Sequence, residues 1–370
     1  MTLSSDLASL FLRLAGIEGT SLDERKIADE VAAVLTRAGI RVVKDDSNKS
    51  FGGTTGNLLC FPPEYRADQP AVMLTAHLDT VKSTAQLKPV VDATSIRSDG
   101  TTILGADNRV GLSVLVHLLQ TVAAEKPPQR NFFVVFTVGE ETGLFGAGGI
   151  DLTPYKVSSA YVFDCSKRPG VYIRDCVGLY GFEAEFIGKS AHSGVAPEKG
   201  VSAIQLASKA IAGLKLGRID DNTTANIGKI HGGEAINSIP EKVLIQGEVR
   251  SFTPQRIKEQ LTLIEQSLHA SVNGTGKVVF KWQPDFEPYM LATDAPMIVA
   301  LESAMRAVGL TPQPIRYTGG SDANKYNAKG IPAVNLGIGA QNPHSYEEFV
   351  LIEDLVKTYE LARALIAPGD

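Results

Sequence analysis

Apolar positions at helical spacing open the chain. Leu7, Leu10, Phe11 and Leu14 share one stripe, and Ile27, Val31, Val34 and Leu35 form a second. Two amphipathic helices are therefore expected before Gly39, which supplies a stop. Beyond it the pattern changes to short, continuous apolar runs at 57–61, 71–75, 131–137, 160–163 and 333–336, with a helical stretch over 110–122 between two of them. Runs of this kind mark strands covered on both faces. Their alternation with helices predicts an α/β fold with a mostly parallel sheet sandwiched by helices.

The middle third has a different rhythm. Residues 181–187 alternate as a strand, 200–214 read as a helix, 224–230 and 242–252 as strands, 254–270 as a helix and 277–284 as a last strand. That order, β-α-β-β-α-β, is the ferredoxin-like arrangement. Helical periodicity resumes over 296–308. The expected organisation is one domain built from 1–178 plus 288–370, interrupted by an inserted ferredoxin-like domain at 179–287.

Composition narrows the class. The 370 residues are 44% apolar and 21% charged, the balance of a globular protein with an ample core. Thirty-six Lys and Arg against 41 Asp and Glu leave a formal charge of -5, no footprint for nucleic acid or for an anionic membrane. Cys60, Cys165 and Cys176 are scattered and form no CxxC, so no disulfide framework is expected. Arg13 and Glu18 interrupt the first apolar stretch, which reads as an amphipathic helix rather than a signal peptide. No window is apolar for long enough to span a bilayer. A cytoplasmic protein is expected.

The chemistry gathers where strands end. His77 closes AVMLTAH, Asp107 follows TILGA, Glu140 and Glu141 follow FFVVFTVG, Asp164 closes AYVF, and His344 follows AVNLGIGAQNP. In a parallel sheet these ends line the ligand crevice, and acids crowded there need cations between them. Nitrogen and oxygen donors without thiolate suit zinc, with manganese or cobalt as alternatives. Asp107, Glu141 and Asp164 together with two divalent ions leave a net positive charge that favours ionising a water, whereas a single ion leaves the crevice anionic. Charge counting therefore points to two divalent ions. Asp79 shares a strand face with His77 and is placed to accept the second N–H of its ring. Glu140 and Glu141 are neighbours whose side chains diverge, so one can ligate while the other acts as general base. Taken singly, each group has a bland reading, such as a helix cap for Asp107 or a solvated turn for the Glu pair. The joint pattern carries the argument.

The segments AHLDTV (76–81), LGADNRVG (104–111), TVGEETGLFGA (137–147), FD (163–164), KSAHSG (189–194), NSIPEKVLIQGEVRSF (237–252) and TGGSDAN (318–324), with the late His344, follow one another along nearly the whole chain. In this order they resemble the two-metal exopeptidases that include peptidase T, carboxypeptidase G, the aminoacylases and succinyl-diaminopimelate desuccinylase, and within them the peptidase T-like branch. The resemblance implies a zinc-exopeptidase fold with the insert as lid and dimerisation domain. It implies that His77, Asp107 and Asp164 hold one ion, and that Asp107 bridges to a second held by Glu141 and His344. Glu140 becomes the general base, Asp79 the orienter of His77, and the Asp107–Asn108 peptide is expected to be cis. The family commonly has Asp and Lys after the bridging Asp; this chain has Asn108 and Arg109, one charge fewer.

Other roles also follow from the resemblance. His192, a surface-loop histidine on sequence alone, is expected to steady the oxyanion of the tetrahedral intermediate. Asn237 and Arg250 fall where relatives contact the substrate, and Gly319, Gly320 and Ser321 are expected to line its pocket. The Gly-rich stretch after Glu141 lacks the GK[ST] of a phosphate loop, and no GxSxG is present. The expected activity is hydrolysis of short peptides, as a tripeptide aminopeptidase. The competing readings are an N-acyl-amino-acid amidohydrolase or carboxypeptidase with the same metals, and a non-catalytic metal-dependent peptide-binding protein. The edge of the insert is a candidate homodimer surface.

Overall fold

Leu3–Ala15 is helical because its apolar side chains recur on one face: Leu7, Phe11, Leu14 and Ala15 are buried, and Thr2 caps the helix by accepting the Ser5 N–H at 3.3 Å. Arg25–Arg37 buries Ile27, Ala28, Val31, Val34 and Leu35 in the same way. Gly39 follows with φ of 84°, the left-handed stop that glycine allows. The computed structural model describes residues 2–272 and 274–368. The chain divides into two units, one of Met1–Arg174, Met290–Arg316 and Ser321–Asp370, the other of Asp175–Tyr289 and Tyr317–Gly320.

In the first unit Phe132–Thr137, Ala71–His77, Val157–Cys165 and Ala333–Gly337 lie side by side and run parallel. All but the first residues of Val157–Cys165 are buried in these four strands, which explains their continuous apolar runs. The expected parallel sheet is thus its centre. Its flanks differ: Leu58–Phe61 runs antiparallel to Phe132–Thr137, Arg41–Lys44 antiparallel to Leu58–Phe61, and Val171–Cys176 antiparallel to Ala333–Gly337. An antiparallel neighbour needs no helical crossover, and apolar content alone does not report strand direction. The helix Ala106–Glu125 packs on Ala71–His77 and Val157–Cys165, and against the helices Leu3–Ala15 and Ile352–Ile366.

Gly111 sets how closely that long helix approaches the sheet. A Cβ there would collide with the Phe163 carbonyl oxygen, so only glycine lets the helix seat its first turn beside Asp164. A small sheet of Pro89–Val91, Ser95–Ser98 and Phe349–Leu351 escapes the sequence pattern because its strands are three or four residues long.

The second unit is an antiparallel sheet in the order Gly217–Asp220, Thr223–Gly232, Lys242–Ser251, Gly178–Ile187, Lys277–Phe286. Ala203–Ala212 and Pro254–Val272 pack on it. Burial alternates along Gly178–Ile187, and Phe182, Phe186, Leu206, Ile245, Ile257, Leu261 and Leu268 belong to one core. This is the ferredoxin-like order expected, extended at one edge by Gly217–Asp220. Among the described residues no helix is long and apolar enough to cross a membrane.

Candidate metal centre

The parallel register brings the strand ends together. His77 pairs with Thr137, so the Gly139–Glu141 loop leaves the sheet beside it. On the other side Thr75 pairs with Val162 and Leu336 with Phe163, which aligns Asp164 and the segment leading to His344. Asp107 enters from the start of Ala106–Glu125, where it and Asn108 depart from helical angles. The Asp107–Asn108 peptide is cis. Asp107 is no side-chain cap: the N-cap position is Gly105, without a capping side chain.

The side chains meet in two overlapping groups. His77 Nε2 lies 3.1 Å from Asp107 Oδ1 and 3.2 Å from Asp164 Oδ1. His344 Nε2 lies 3.4 Å from Asp107 Oδ2 and 3.0 Å from Glu141 Oε1. The two oxygens of Asp107 are therefore divided between the two imidazoles. Ligands about 2.0–2.1 Å from a tetrahedral ion stand about 3.3 Å apart, so both groups have the spacing that a divalent ion needs. Candidate ligand atoms of His77, Asp107 and Asp164, of Asp107, Glu141 and His344, and of His77, Glu140 and Glu141 each fall within 4.8 Å of one another.

The electrostatics agree with a cation-seeking site. Hydrogen bonds to Asp107 and Glu141 push His344 up to about 10. Burial raises Glu141 to about 7. Burial, reinforced by Asp164, holds Glu140 well above the usual carboxylate range. Asp107, by contrast, is held below the usual carboxylate range by His344 and His77 against its burial, so the site keeps an ionised carboxylate between the two imidazoles while burial favours the protonated form of Glu140 and Glu141.

A layer behind these groups fixes them. His77 Nδ1 is 3.1 Å from the Asp79 carbonyl oxygen and 3.2 Å from Asp79 Oδ1, which leaves Nε2 free to ligate. Asp79, fully buried, also accepts the N–H of Glu140 at 3.1 Å, the N–H of Glu141 at 3.1 Å and the Ser21 hydroxyl at 2.7 Å. The N–H of Val138 goes to Asn57 Oδ1 at 3.1 Å and that of Gly139 to Glu24 Oε1 at 2.8 Å. Every backbone N–H from 138 to 141 is thus held by a side chain from a remote segment. Arg109, fully buried, donates to the carbonyls of Leu78 and Ile17 and supplies the positive charge facing Asp79 and Glu24. Asn108 donates to Phe163 O at 2.8 Å and to Asp164 Oδ1 at 3.4 Å; a second Asp there would repel Asp164. Asp322, also buried, accepts from Thr137 Oγ1 at 2.5 Å and is raised by burial to about 7.

Sequence reasoning missed Glu24, Asn57 and Asp322. For Glu24 the local signal, an acid just ahead of a helix, reads as ordinary capping.

The remaining candidates divide between the units. His192, Asn237, Arg250, Gly319 and Gly320 belong to the second. His192 is exposed, and its Nδ1 accepts the N–H groups of Gly194 and Val195 at 3.2 Å each, so its proton sits on Nε2. Asn237 is exposed, and its backbone carbonyl accepts the Ser193 N–H at 3.0 Å. Arg250 is engaged by Glu248 at 2.8 and 3.2 Å and by the Thr318 carbonyl at 3.0 Å. A Cβ on Gly319 or Gly320 would meet the Tyr317 or Phe286 ring. Ser321 lies in the first unit at the N-cap of Asp322–Ala328, buried, with its N–H taken by Asn324 Oδ1 at 3.1 Å.

Comparison with known proteins places this geometry. Residues 177–272 match the model of the peptidase dimerisation domain of the M20 family, and residues 59–162 match the peptidase family M28 model. The uncharacterised protein YqjE of Bacillus subtilis is 34% identical over 366 residues, 96% of each chain. Peptidase T of Haemophilus influenzae is 26% identical over 303 residues, 80% of this chain and 73% of that protein. Among solved structures, aminopeptidase PepT from Bacillus cereus is 33% identical with a TM-score of 0.87, covering 98% of each chain. A tripeptidase from Staphylococcus aureus is 32% identical with a TM-score of 0.89, covering 99% of this chain and 98% of that one. With relatives of this identity along nearly its whole length, the chain belongs to the M20 peptidase family, as a peptidase hydrolase similar to peptidase T.

Proposed function

We propose that the protein is a tripeptide aminopeptidase working on a centre of two divalent ions, zinc before manganese or cobalt. The observation that carries this reading is Asp107 dividing its two oxygens between His77 and His344 at ligand spacing. His77, Asp107 and Asp164 would hold one ion, and Asp107, Glu141 and His344 the other. Divalent ions bound there supply Lewis acidity, which makes water nucleophilic at neutral pH and polarises a carbonyl.

Glu140 does the proton work. It takes a proton from water as the oxygen adds to the scissile carbonyl, and delivers it to the amine nitrogen as the C–N bond breaks. The raised proton affinity that burial gives Glu140 suits a group that must hold the proton between the two steps. Asp79 keeps His77 in the ligating tautomer and steadies the Glu140–Glu141 backbone. The Nε2–H of His192 is the donor proposed for the developing oxyanion, with Asn237 and Arg250 as substrate contacts. Peptide length is argued from the PepT and tripeptidase structures at about a third identity. The match of 177–272 to a dimerisation domain supports a homodimer through the second unit.

A hydrolysis panel of tripeptides, dipeptides and N-acetyl amino acids, run after chelation and after adding back zinc, manganese or cobalt, tests the reading. Tripeptides should be cleaved from the amino end, and only with metal. Preference for N-acetyl amino acids would move the assignment to the amidohydrolases, and metal binding without turnover on any of them would refute catalysis.

A further inference from the structure

Glu348 lies shortly beyond His344, in the same segment. Its side chain is 1% exposed, and both carboxylate oxygens are spent on one turn: Oε2 accepts the Gly105 N–H at 2.7 Å and Oε1 the Asp107 N–H at 3.0 Å. That turn cannot easily move elsewhere. Gly105 has φ of 72°, and a Cβ on it would press the methyls of Thr84 and Thr80 at 3.1 and 3.3 Å. The clamp therefore grips the backbone of the residue whose side-chain oxygens are divided between the two imidazoles. One short segment delivers His344 and, through Glu348, holds the group His344 must share an ion with.

We propose that Glu348 is a positioning residue of the two-ion centre: it holds the bridging Asp107 in register with His344, so that two ions share one carboxylate. The inference rests on the two-ion reading above. A carboxylate satisfies two converging N–H donors, whereas an amide must turn its NH2 toward one of them. Glu348→Gln thus releases one side of the turn with almost no change of volume. Glu348→Asp keeps the charge but withdraws it by one methylene. In both, the His77–Asp164 and His344–Glu141 pairs keep their places while Asp107, no longer held in register between them, can follow one ion but not both.

The test titrates the metal-free full chain, wild type and both variants, with manganese(II), followed by calorimetry and electron paramagnetic resonance. The wild type should take two ions with the spectrum of a spin-coupled pair. Glu348→Gln should bind one ion normally and the second about 10–100-fold more weakly, with the coupled spectrum replaced by that of an isolated ion; Glu348→Asp should move the same way. Two ions bound by both variants with wild-type affinity and coupling would overturn the proposal, whatever happens to thermal stability. So would a metal-free variant that fails to fold, which would make the residue part of the scaffold. A wild type that binds no coupled pair would instead remove the two-ion reading itself, and the clamp with it.

Discussion

Asp79→Asn is the sharpest probe of the layer behind the metal centre, because the wild-type carboxylate is saturated. It accepts from Ser21, Glu140 and Glu141 and faces His77 Nδ1. An amide has two ways to sit. With nitrogen in the place of Oδ2, Ser21 can rotate to accept, but the Glu141 N–H is orphaned. With nitrogen in the place of Oδ1, it opposes both the Glu140 N–H and the proton on His77 Nδ1. The first orientation is cheaper. It leaves one buried N–H unsatisfied, about 1–3 kcal/mol, and turns the remaining charge-assisted bonds into neutral ones, about 1 kcal/mol each. Some of this returns, since Asp79 is one of the groups that raise Glu24.

The expected net loss from Asp79→Asn is roughly 2–4 kcal/mol, which a stable domain survives. The carbonyl of Asp79, 3.1 Å from Nδ1, still holds the His77 tautomer, so metal binding weakens rather than vanishes, by about 10–100-fold. Urea unfolding of the metal-free protein and zinc calorimetry read the two effects separately. Stability within about 0.5 kcal/mol of wild type together with unchanged zinc affinity would refute the reasoning.

Two further outcomes are expected. Glu140→Gln should fold and bind metal like the wild type while kcat falls about 10²–10⁴-fold, and steady-state kinetics showing near-normal turnover would end its assignment as base. Glu24 is raised from 4.5 to about 7, first by burial and then by Asp79, so the folded state keeps a proton that the unfolded chain releases. Its contribution is complete below pH 4.5 and is lost as pH climbs to about 7. Glu24→Gln lacks that loss, so unfolding of the metal-free protein should show the variant gaining roughly 3 kcal/mol on the wild type across this window; parallel pH profiles would contradict it.

Much of the centre could be read from the chain because of one geometric fact. His77, Glu140, Glu141 and Asp164 each close or follow an apolar run, and parallel strands in register put such ends side by side. Asp107 was legible for the same reason at the head of a helix. Asn108, visible only as a departure, gains its meaning from Asp164 Oδ1. The ferredoxin-like alternation was legible too, apart from Gly217–Asp220, too short to show a period.

What the sequence by itself determined is the layered α/β fold, the second unit's order of elements and the set of candidate ligands, since periodicity and residue type are local properties. Only the tertiary structure decided how the ligands are held. Glu24 reaches Gly139 across 115 positions and Glu348 reaches Gly105 across 243. In each case the partner is a backbone N–H, which every residue but proline carries. Such a bond leaves no trace in the identity of its partner, and it exists only once folding has brought the two segments together.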